Sequence, residues 1–240
     1  RAAADLEAHL AEHADSTAAI ILEPLVQGAA GMAMYAPVYL TRVRELCDQY
    51  GVHLIADEIA VGFGRTGTMF ACEQAGGNVA TLADFLCLSK GITGGYLPLS
   101  CVLTRDEIYA AFYDDATARG FLHSHSYTGN PLACRAALAV LDIFEQDQVI
   151  AANRAKAARF TELLAEVAAH PRIRNFRHTG MIWAFDVADA APGFSEAFHR
   201  RALAHGVFLR PIGHSVYFMP PYVIEEAEMR LLADATLACL

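Results

Sequence analysis

Two polar residues, Asp57 and Lys90, each end an apolar run of the sequence. Asp57 ends VHLIAD, and Lys90 ends DFLCLSK and is followed by the uncharged segment GITGGYLPLS. Burial at such a place disfavours a lysine cation and makes the free amine available as a nucleophile that can form a Schiff base. A carboxylate at the end of a neighbouring strand could hold a protonated heterocyclic nitrogen, because it favours the charged form of its partner. The two residues could equally form a structural ion pair.

Lysine is scarce in this chain, so each lysine can be weighed by itself. Of the 18 basic residues, sixteen are arginine and two are lysine, Lys90 and Lys156. Lys156 lies in NRAKAARFTELLAEVAAH, whose apolar spacing predicts an amphipathic helix with a charged residue on its wet face. Lys90 is therefore the lysine for which we expect chemistry.

Short β-rich segments alternate with helical ones in the first part of the chain. The pattern predicts strands in residues 18–24, 52–58, 84–90 and 100–104, and helices in residues 4–14 and 37–51. This order indicates an α/β fold with a mostly parallel sheet and covering helices. The continuous apolar runs predict strands that are buried on both faces. Ligands gather at the carboxyl ends of the strands in such sheets, where Glu23, Asp57 and Lys90 lie.

The second part of the chain has a different pattern, which follows a loop rich in His, Ser, Tyr and Gly. Long helices are predicted from Pro131 to Glu145 and from Val149 to Ala169. Then follow predicted strands in residues 173–179, 181–187, 207–211 and 216–221, and predicted helices in residues 193–206 and 225–240. We therefore predict a large ligand-binding domain in residues 1–150 and a small C-terminal α+β domain in residues 151–240.

The composition limits the classes of partner. With 27 acidic and 18 basic residues the net charge is -9, which repels nucleic acid and anionic membranes, so we expect a small-molecule substrate. Prolines and glycines interrupt the long uncharged stretch from Pro24 to Thr41, and the chain opens with no signal peptide. The six cysteines include no C-x-x-C pair, which favours free thiols. We expect a soluble, cytoplasmic protein.

Two motifs suggest ligands that their context does not support. The glycines of GFGRTG, residues 62–67, fit G-x-G-x-x-G, but they trail Asp57 by several residues and precede only a short segment. We expect them to form a tight loop beside a ligand and not a dinucleotide site. His123 and His125 have no third ligand nearby in sequence, so no metal site is predicted.

Four segments of the chain carry a resemblance to a known family. They are EPLVQGAAGMAMYAP, ADEIAVGFGRTGTMFACEQAG, DFLCLSKGITGGYLPLS and HSHSYTGNPLACRAALAV, in this order. The chain resembles the class III, fold type I, pyridoxal-phosphate aminotransferases over nearly its whole length. In that chemistry the roles considered for Lys90 and Asp57 belong together, since the lysine carries the cofactor aldehyde and the carboxylate keeps the pyridine ring protonated.

The resemblance implies a role for each matched residue. Lys90 would form the Schiff base with pyridoxal 5'-phosphate and later move a proton between substrate and cofactor, and Asp57 would pair with the pyridine nitrogen. Ser126 matches a hydroxyl that reaches the cofactor phosphate of a partner subunit, which implies a homodimer with shared active sites. Arg210 matches an arginine that binds the substrate carboxylate, and Tyr217 matches a tyrosine of the substrate pocket. Ser126 could instead satisfy a turn, and Arg210 could form a salt bridge between domains.

The segment MPPY, residues 219–222, resembles the corresponding segment in the members of the family that act in biotin biosynthesis. This likeness implies amino transfer from S-adenosylmethionine, or from another donor such as lysine, to 8-amino-7-oxononanoate. Another class III aminotransferase of ω-amino acids or diamines, an aminomutase or racemase, and an inactive fragment or interaction subunit stay open.

The resemblance also implies that the large domain is incomplete at its N-terminal side. Chains of the family are longer at the amino end, where a Gly-Ser loop holds the cofactor phosphate and an aromatic ring stacks on the pyridine. We find neither of these before Glu23. Because backbone amides supply much of phosphate binding in such sites, we expect the 240-residue chain alone to bind the cofactor weakly or not at all.

Overall fold

The computed structural model describes residues 1–240, apart from the side chains of residues 79 and 80. The chain forms two compact units. The first unit contains Arg1–Leu25, Tyr35–Phe63 and Phe70–Glu145, and the second contains Val26–Met34, Gly64–Met69 and Gln146–Leu240. Two short segments that precede residue 150, Val26–Met34 and Gly64–Met69, thus belong to the second unit. The predicted division at residue 150 does not include these two segments in the C-terminal part. The assignment of two functional domains stays a prediction.

The helices and strands are numbered in chain order. The strands are β1 (Ala19–Leu22), β2 (Val26–Gln27), β3 (Ala33–Met34), β4 (His53–Asp57), β5 (Phe85–Leu88), β6 (Cys101–Thr104), β7 (Ile173–Thr179), β8 (Ile182–Val187) and β9 (Ser215–Phe218). The helices are α1 (Ala2–His13), α2 (Pro37–Tyr50), α3 (Val79–Leu82), α4 (Asp106–Ala110), α5 (Pro131–Gln146), α6 (Val149–Leu163), α7 (Ala165–Ala169), α8 (Phe194–Ala204) and α9 (Glu226–Cys239). Among the described residues, no helix has the length and apolar character needed to cross a bilayer.

The first unit contains a four-stranded sheet in the order β1, β4, β5, β6. The first three strands are parallel, and β6 is antiparallel to β5. Helix α2, which connects β1 to β4, begins with Pro37, whose fixed φ suits a first helical turn. It stops before Gly51, which adopts a left-handed φ of 67° that favours glycine at a helix end. The predicted α/β fold with a mostly parallel sheet is confirmed.

The burial of this sheet differs from the prediction. Leu54 and Ala56 of β4 are fully buried, whereas Ile55 between them is only half-buried. Ile21 of β1 is 64% exposed, and along α5 only Ala133 is buried. The prediction that the strands are buried on both faces is wrong for the described chain, because alternate residues of β4 remain partly accessible. The covering elements bury one face of the strand much more than the other.

The second unit is built on an antiparallel sheet in the order β7, β8, β9. One face of this sheet enters a closed aromatic core in which the side chains are 2% exposed or less: Phe160, Trp183, Phe185, Phe198 and Phe218. The helix predicted over residues 149–169 is divided into α6 and α7 at Leu164. The small α+β architecture agrees with the sequence pattern.

One predicted strand of the second unit, residues 207–211, is wrong. These residues make no sheet ladder, and the next residue, Ile212, forms only an isolated bridge with Ser215. Pro211 has no backbone N–H to donate to a neighbouring strand, which explains why the pairing does not extend. Arg210 therefore lies in an irregular segment.

Candidate active site

Asp57 and Lys90 lie at one edge of the sheet of the first unit. Asp57 is the last residue of β4 and pairs in register with Cys87 of β5. The N–H of Glu58 donates to the carbonyl of Cys87 at 3.0 Å, which holds the two strand ends together. Because β5 ends at Leu88, Lys90 is the second residue beyond the strand that neighbours Asp57. The parallel topology thus brings both residues to the carboxyl ends of adjacent strands.

The carboxylate of Asp57 is oriented by its own turn. The residue is half-buried, and its Oδ1 accepts the N–H of Ile59 at 3.0 Å. A bond from an Asp side chain to the N–H two residues later fixes the side-chain torsion. Since a carboxylate accepts further hydrogen bonds at its other oxygen, Asp57 can bind a donor while this turn holds it in place.

Lys90 is exposed in the structure, so the predicted burial of its amine is wrong for the described chain. The buried run ends at Leu88, and Lys90 then begins a single 3₁₀ turn that extends to Thr93. Its φ of 45° is left-handed, which is uncommon for a residue other than glycine. The turn carries the side chain beyond the sheet instead of into the core. Such strained residues concentrate at functional sites.

The turn after Lys90 depends on a close approach at Gly91. A Cβ atom at this position would lie 2.8 Å from the Cβ of Phe63, a separation that real side chains do not adopt. Glycine is therefore the residue that lets the backbone pass next to the phenylalanine. Phe63 and the lysine turn are consequently packed together within the first unit.

A further residue at this edge, Glu58, was missed by the sequence analysis. Its carboxylate is fully buried and accepts the N–H groups of Ala71 and Cys72, each at 2.8 Å. Burial raises the pKa of Glu58, and these two hydrogen bonds act in the opposite direction. These bonds tie residues 71 and 72, which follow the glycine loop in sequence, to the residue next to Asp57. The available signal was the pair of adjacent acids at the end of one apolar strand.

Ser126 lies in an exposed turn, residues 126–129, that precedes α5. Local bonds form this turn: the N–H of Tyr127 donates to Nδ1 of His125, and the N–H of His125 donates to Oγ1 of Thr128, both at 3.1 Å. Within the described part of the chain, no three His, Cys, Asp or Glu side chains are grouped so that they could hold a metal ion. The turn itself offers an accessible hydroxyl.

Arg210 and Tyr217 are brought together in the second unit, where both line a cavity of about 530 Å³. Arg210 is exposed, and Tyr217 is half-buried on β9. Much of the remaining wall is apolar and includes Phe208, Leu231 and Leu232. An arginine fork at such a wall suits a molecule that combines a carboxylate with an aliphatic chain.

Lys156, the second lysine, is engaged within the second unit. It is half-buried, and its Nζ donates to the carbonyl of Tyr222 at 2.5 Å. The sequence predicts a solvated position on the wet face of a helix, and the structure instead uses this lysine to bind the backbone before α9. This contact is structural, and it leaves Lys90 as the lysine at the sheet edge.

The whole chain, residues 1–240, matches the family described as Aminotransferase class-III. The chain belongs to this family. It is 45% identical over 227 residues to the adenosylmethionine-8-amino-7-oxononanoate aminotransferase of Helicobacter pylori. The aligned region covers 92% of this chain and 51% of the relative. The crystal structure of the Methanocaldococcus jannaschii aminotransferase of the same name superposes with a TM-score of 0.91 at 34% identity, covering 99% of this chain and 56% of that chain.

A PLP-bound amine transaminase from an uncultivated Pseudomonas species superposes with a TM-score of 0.87 at 35% identity, covering 99% of this chain and 55% of that one. Class III aminotransferases depend on pyridoxal phosphate. The resemblance predicted from the four segments is therefore confirmed. The chain spans about half the length of the relatives that it matches.

Proposed function

We propose that the protein containing this chain is a pyridoxal-phosphate-dependent aminotransferase of biotin biosynthesis. It transfers an amino group from S-adenosylmethionine, or from another amine donor, to 8-amino-7-oxononanoate and gives 7,8-diaminononanoate. The names of three relatives that are 40–45% identical to this chain support this choice of reaction. The observation that carries it is the position of Asp57 and Lys90 at the ends of adjacent parallel strands.

The residues at the sheet edge fit this cofactor. Attachment of its aldehyde requires an amine, and protonation of its ring nitrogen requires a nearby acid. Lys90 supplies an accessible amine just beyond β5, and Asp57 supplies a carboxylate that is already oriented by Ile59 at the end of β4. Both groups project from strand ends of one sheet, where ligands of α/β proteins bind.

Each residue then has a separate task. Bound pyridoxal phosphate supplies an aldehyde and an electron-withdrawing pyridinium ring. Asp57 holds the proton on the ring nitrogen, because a neighbouring carboxylate favours the charged form. Nζ of Lys90 holds the cofactor covalently in the resting enzyme. The same nitrogen, when it is free, would move the proton at the reacting carbon of the substrate.

Ser126 contributes to phosphate binding across a homodimer in this proposal. Its hydroxyl donates a hydrogen bond to the phosphate bound by a partner subunit, so that the two subunits share their active sites. The exposed position of the turn that carries Ser126 supports this role. The helix that follows, α5, presents leucines to solvent at 71% and 55% exposure, at Leu132 and Leu138.

Arg210 and Tyr217 bind the substrate. Arg210 pairs with the carboxylate, since a planar guanidinium can donate two parallel hydrogen bonds to it. Tyr217 contacts the chain of the acceptor. The shared cavity and its apolar wall support this assignment, because 8-amino-7-oxononanoate carries its carboxylate on an alkyl chain.

The decisive experiment locates the lysine that holds the cofactor. The protein containing this chain is loaded with pyridoxal phosphate, reduced with borohydride and digested, and the labelled peptide is identified by mass spectrometry. We expect the label on Lys90 and its loss in Lys90→Arg. Lys156→Arg, the matched control, retains the label on Lys90. A label on Lys156 in the wild-type protein contradicts the proposal.

A second candidate is another class III aminotransferase that acts on ω-amino acids or diamines. It is supported by an (S)-enantioselective omega-transaminase from Thermomicrobium roseum, which superposes with a TM-score of 0.89 at 30% identity. A panel of donors separates the two candidates. Amino transfer from S-adenosylmethionine or lysine to 8-amino-7-oxononanoate supports the first candidate, whereas transfer only from ω-amino acids or diamines supports the second.

An inactive fragment or interaction subunit is the alternative outside catalysis. The chain spans about half the length of its relatives, which supports testing it alone. We expect the 240-residue chain to hold pyridoxal phosphate weakly or not at all in an absorbance titration. Tight binding and turnover by this chain alone contradict that expectation.

We also propose that the protein is cytoplasmic. All six cysteines are free in the structure, which is the state expected in a reducing compartment. Localisation of a tagged protein by cell fractionation tests this proposal.

A further inference from the structure

The face of the β7–β8–β9 sheet that lies opposite the aromatic core carries a row of polar side chains. Arg177 of β7 pairs with Ala184 of β8, which in turn pairs with Tyr217 of β9. In the adjacent row, Asp186 pairs with Ser215. Since paired residues of an antiparallel sheet point to the same face, Arg177, Asp186, Ser215 and Tyr217 share this face.

The loop between β2 and β3, residues 28–32, lies against this polar face. A Cβ atom on Gly31 would be 2.8 Å from Oγ of Ser215, so the backbone of the loop passes directly over β9. Ser215 and Tyr217 are two residues apart on one strand, which places their Cα atoms about 7 Å from each other. The loop is thus a neighbour of the position from which Tyr217 projects.

Arg177 holds this loop through its backbone. Its Nη2 donates to the carbonyl of Gly31 at 2.5 Å, and its Nε donates to the carbonyl of Met32 at 2.9 Å. Gly31 and Met32 have φ values of 75° and 56°, so two successive residues are left-handed and one of them is not glycine. Such a conformation persists only where the surroundings enforce it.

The guanidinium is in turn fixed by Asp186. Nη2 of Arg177 lies 3.1 Å from Oδ1 of Asp186, and both side chains are less than one-fifth exposed. Asp186 also accepts Oγ of Ser215 at 2.6 Å and Nδ2 of Asn175 at 3.0 Å. Burial alone raises the pKa of Asp186, but hydrogen bonds from Ser215, Asn175 and Arg177 lower it below its usual value, which keeps the carboxylate charged at neutral pH.

We propose that Arg177 is a positioning residue that clamps the 28–32 loop onto the polar face of β9 and thereby holds the segment of β9 from which Tyr217 projects into the acceptor cavity. This proposal rests on the proposed function, because it assigns the acceptor to the cavity of Tyr217. Arg177 acts through the loop and not on the reacting atoms. Loosening the loop therefore weakens the fit of the acceptor and leaves attachment of the cofactor at Lys90 intact.

The test compares two arginines of the same strand. Arg174 of β7 is exposed and donates only to the nearby carbonyls of Pro171 and Ile173, so Arg174→Met is the matched control. In the protein containing this chain, Arg177→Met is expected to raise KM for the keto acceptor about tenfold with kcat nearly unchanged, since charge-assisted hydrogen bonds are lost. Arg177→Lys keeps the positive charge but not the planar guanidinium, so we expect it to raise KM less than Arg177→Met does.

A second measurement reports on the clamp without reference to activity. Hydrogen exchange followed by mass spectrometry is expected to show faster exchange of residues 26–34 in Arg177→Met and unchanged exchange in Arg174→Met. If Arg177→Met does not fold, Gly31→Ala serves instead, because its added methyl group displaces the same loop from Ser215. The expected results for Gly31→Ala are the same higher KM and faster exchange.

The outcomes distinguish this inference from the proposed function. Unchanged exchange in Arg177→Met overturns the clamp. Faster exchange with an unchanged KM overturns its role in acceptor binding. A wild-type protein that carries the cofactor on Lys90 but does not convert the keto acceptor contradicts the proposed reaction, and the role of the clamp in acceptor binding fails with it even if the exchange result stands. A label on a lysine other than Lys90 contradicts the proposed function, and the exchange result then reports on the clamp of the loop alone.

Discussion

The two units bury their apolar residues to very different extents. In the second unit, the aromatic residues Phe160, Trp183 and Phe218 are 2% exposed or less and contact one another at ring-centroid distances of 4.8 and 5.5 Å. In the first unit, Ile21 of β1 and Val102 of β6 are 64% and 57% exposed. The second unit therefore has a closed core, whereas the sheet of the first unit has an apolar face without full cover among the described residues.

The residues proposed to take part in binding and catalysis lie outside the closed aromatic core. The residues proposed to bind the cofactor, Asp57 and Lys90, lie in the unit with the open face, at the end of β4 and in the 3₁₀ turn after β5. The residues proposed to bind substrate, Arg210 and Tyr217, lie on irregular or edge positions of the unit with the closed core. A rigid scaffold that carries functional groups on its margins is the common arrangement in proteins.

The largest effect is expected from a cavity in the closed core. Phe160→Ala should lower the free energy of unfolding of the second unit by about 3–5 kcal/mol, because a large buried ring is replaced by a methyl group. Urea unfolding followed by fluorescence of Trp183, the one tryptophan of the sequence, measures it. Leu138→Ala on α5, where the side chain is 55% exposed, should change stability by less than about 0.5 kcal/mol by circular dichroism. A cost for Leu138→Ala equal to that of Phe160→Ala would show that the exposed side of α5 is covered in solution.

The next effect concerns a buried charge that stabilises the first unit. The side chain of Asp84 is 7% exposed, with Arg44 and Arg105 each at 2.8 Å, and it accepts the N–H of Leu54 at 2.7 Å. Asp84→Asn should cost about 3 kcal/mol, because it leaves the buried guanidinium of Arg44 and the half-buried one of Arg105 without their carboxylate. Thermal and urea unfolding followed by circular dichroism measure the loss.

The same residue predicts a pH dependence. Burial acts to raise the pKa of Asp84, but the bonds from Leu54 and Arg44 and the charge of Arg105 lower it overall. A carboxyl whose pKa is lowered by folding contributes stability above its ordinary pKa of about 3.9, and this contribution disappears as the pH falls through the lowered value. The wild-type protein should therefore lose stability on acidification below about pH 4 more steeply than Asp84→Asn. If the stability of the two proteins falls equally steeply below about pH 4, this prediction is contradicted.

A smaller effect than those of Phe160→Ala and Asp84→Asn is expected from the backbone at an open position. Gly51 ends α2 with a φ of 67°, and a Cβ atom there would meet nothing within 4 Å. Gly51→Ala should cost about 1 kcal/mol through the left-handed backbone alone, and Gly51→Asn should cost less because asparagine tolerates this conformation. Urea unfolding of the wild-type protein and of both variants measures the two costs and shows whether Gly51→Ala is the more destabilising change. Equal costs would indicate that packing, and not the backbone, decides the stability at this site.

Local patterns predicted much of the fold. The apolar runs around Asp57 and Lys90 became β4 and β5, and Pro37 and Gly51 bound α2, because these signals act between near neighbours in sequence. The β2–β3 hairpin was not predicted: its strands have only two residues each, too short for a periodic pattern. Its loop is held by Arg177, which lies 146 residues after Gly31, and no local signal reports a contact of that kind.

The amino-acid sequence by itself determined the family, the strand ends that carry Asp57 and Lys90, and the two sets of alternating elements, since each follows from residue types at short spacing. The tertiary structure alone decided which faces are covered. It left Lys90 exposed, buried Glu58 against the N–H groups of Ala71 and Cys72, engaged Lys156 with Tyr222, and joined the 28–32 loop to β9. The reason is physical: burial and partner choice depend on which surfaces meet after the chain has folded, and the polarity of a segment does not specify that.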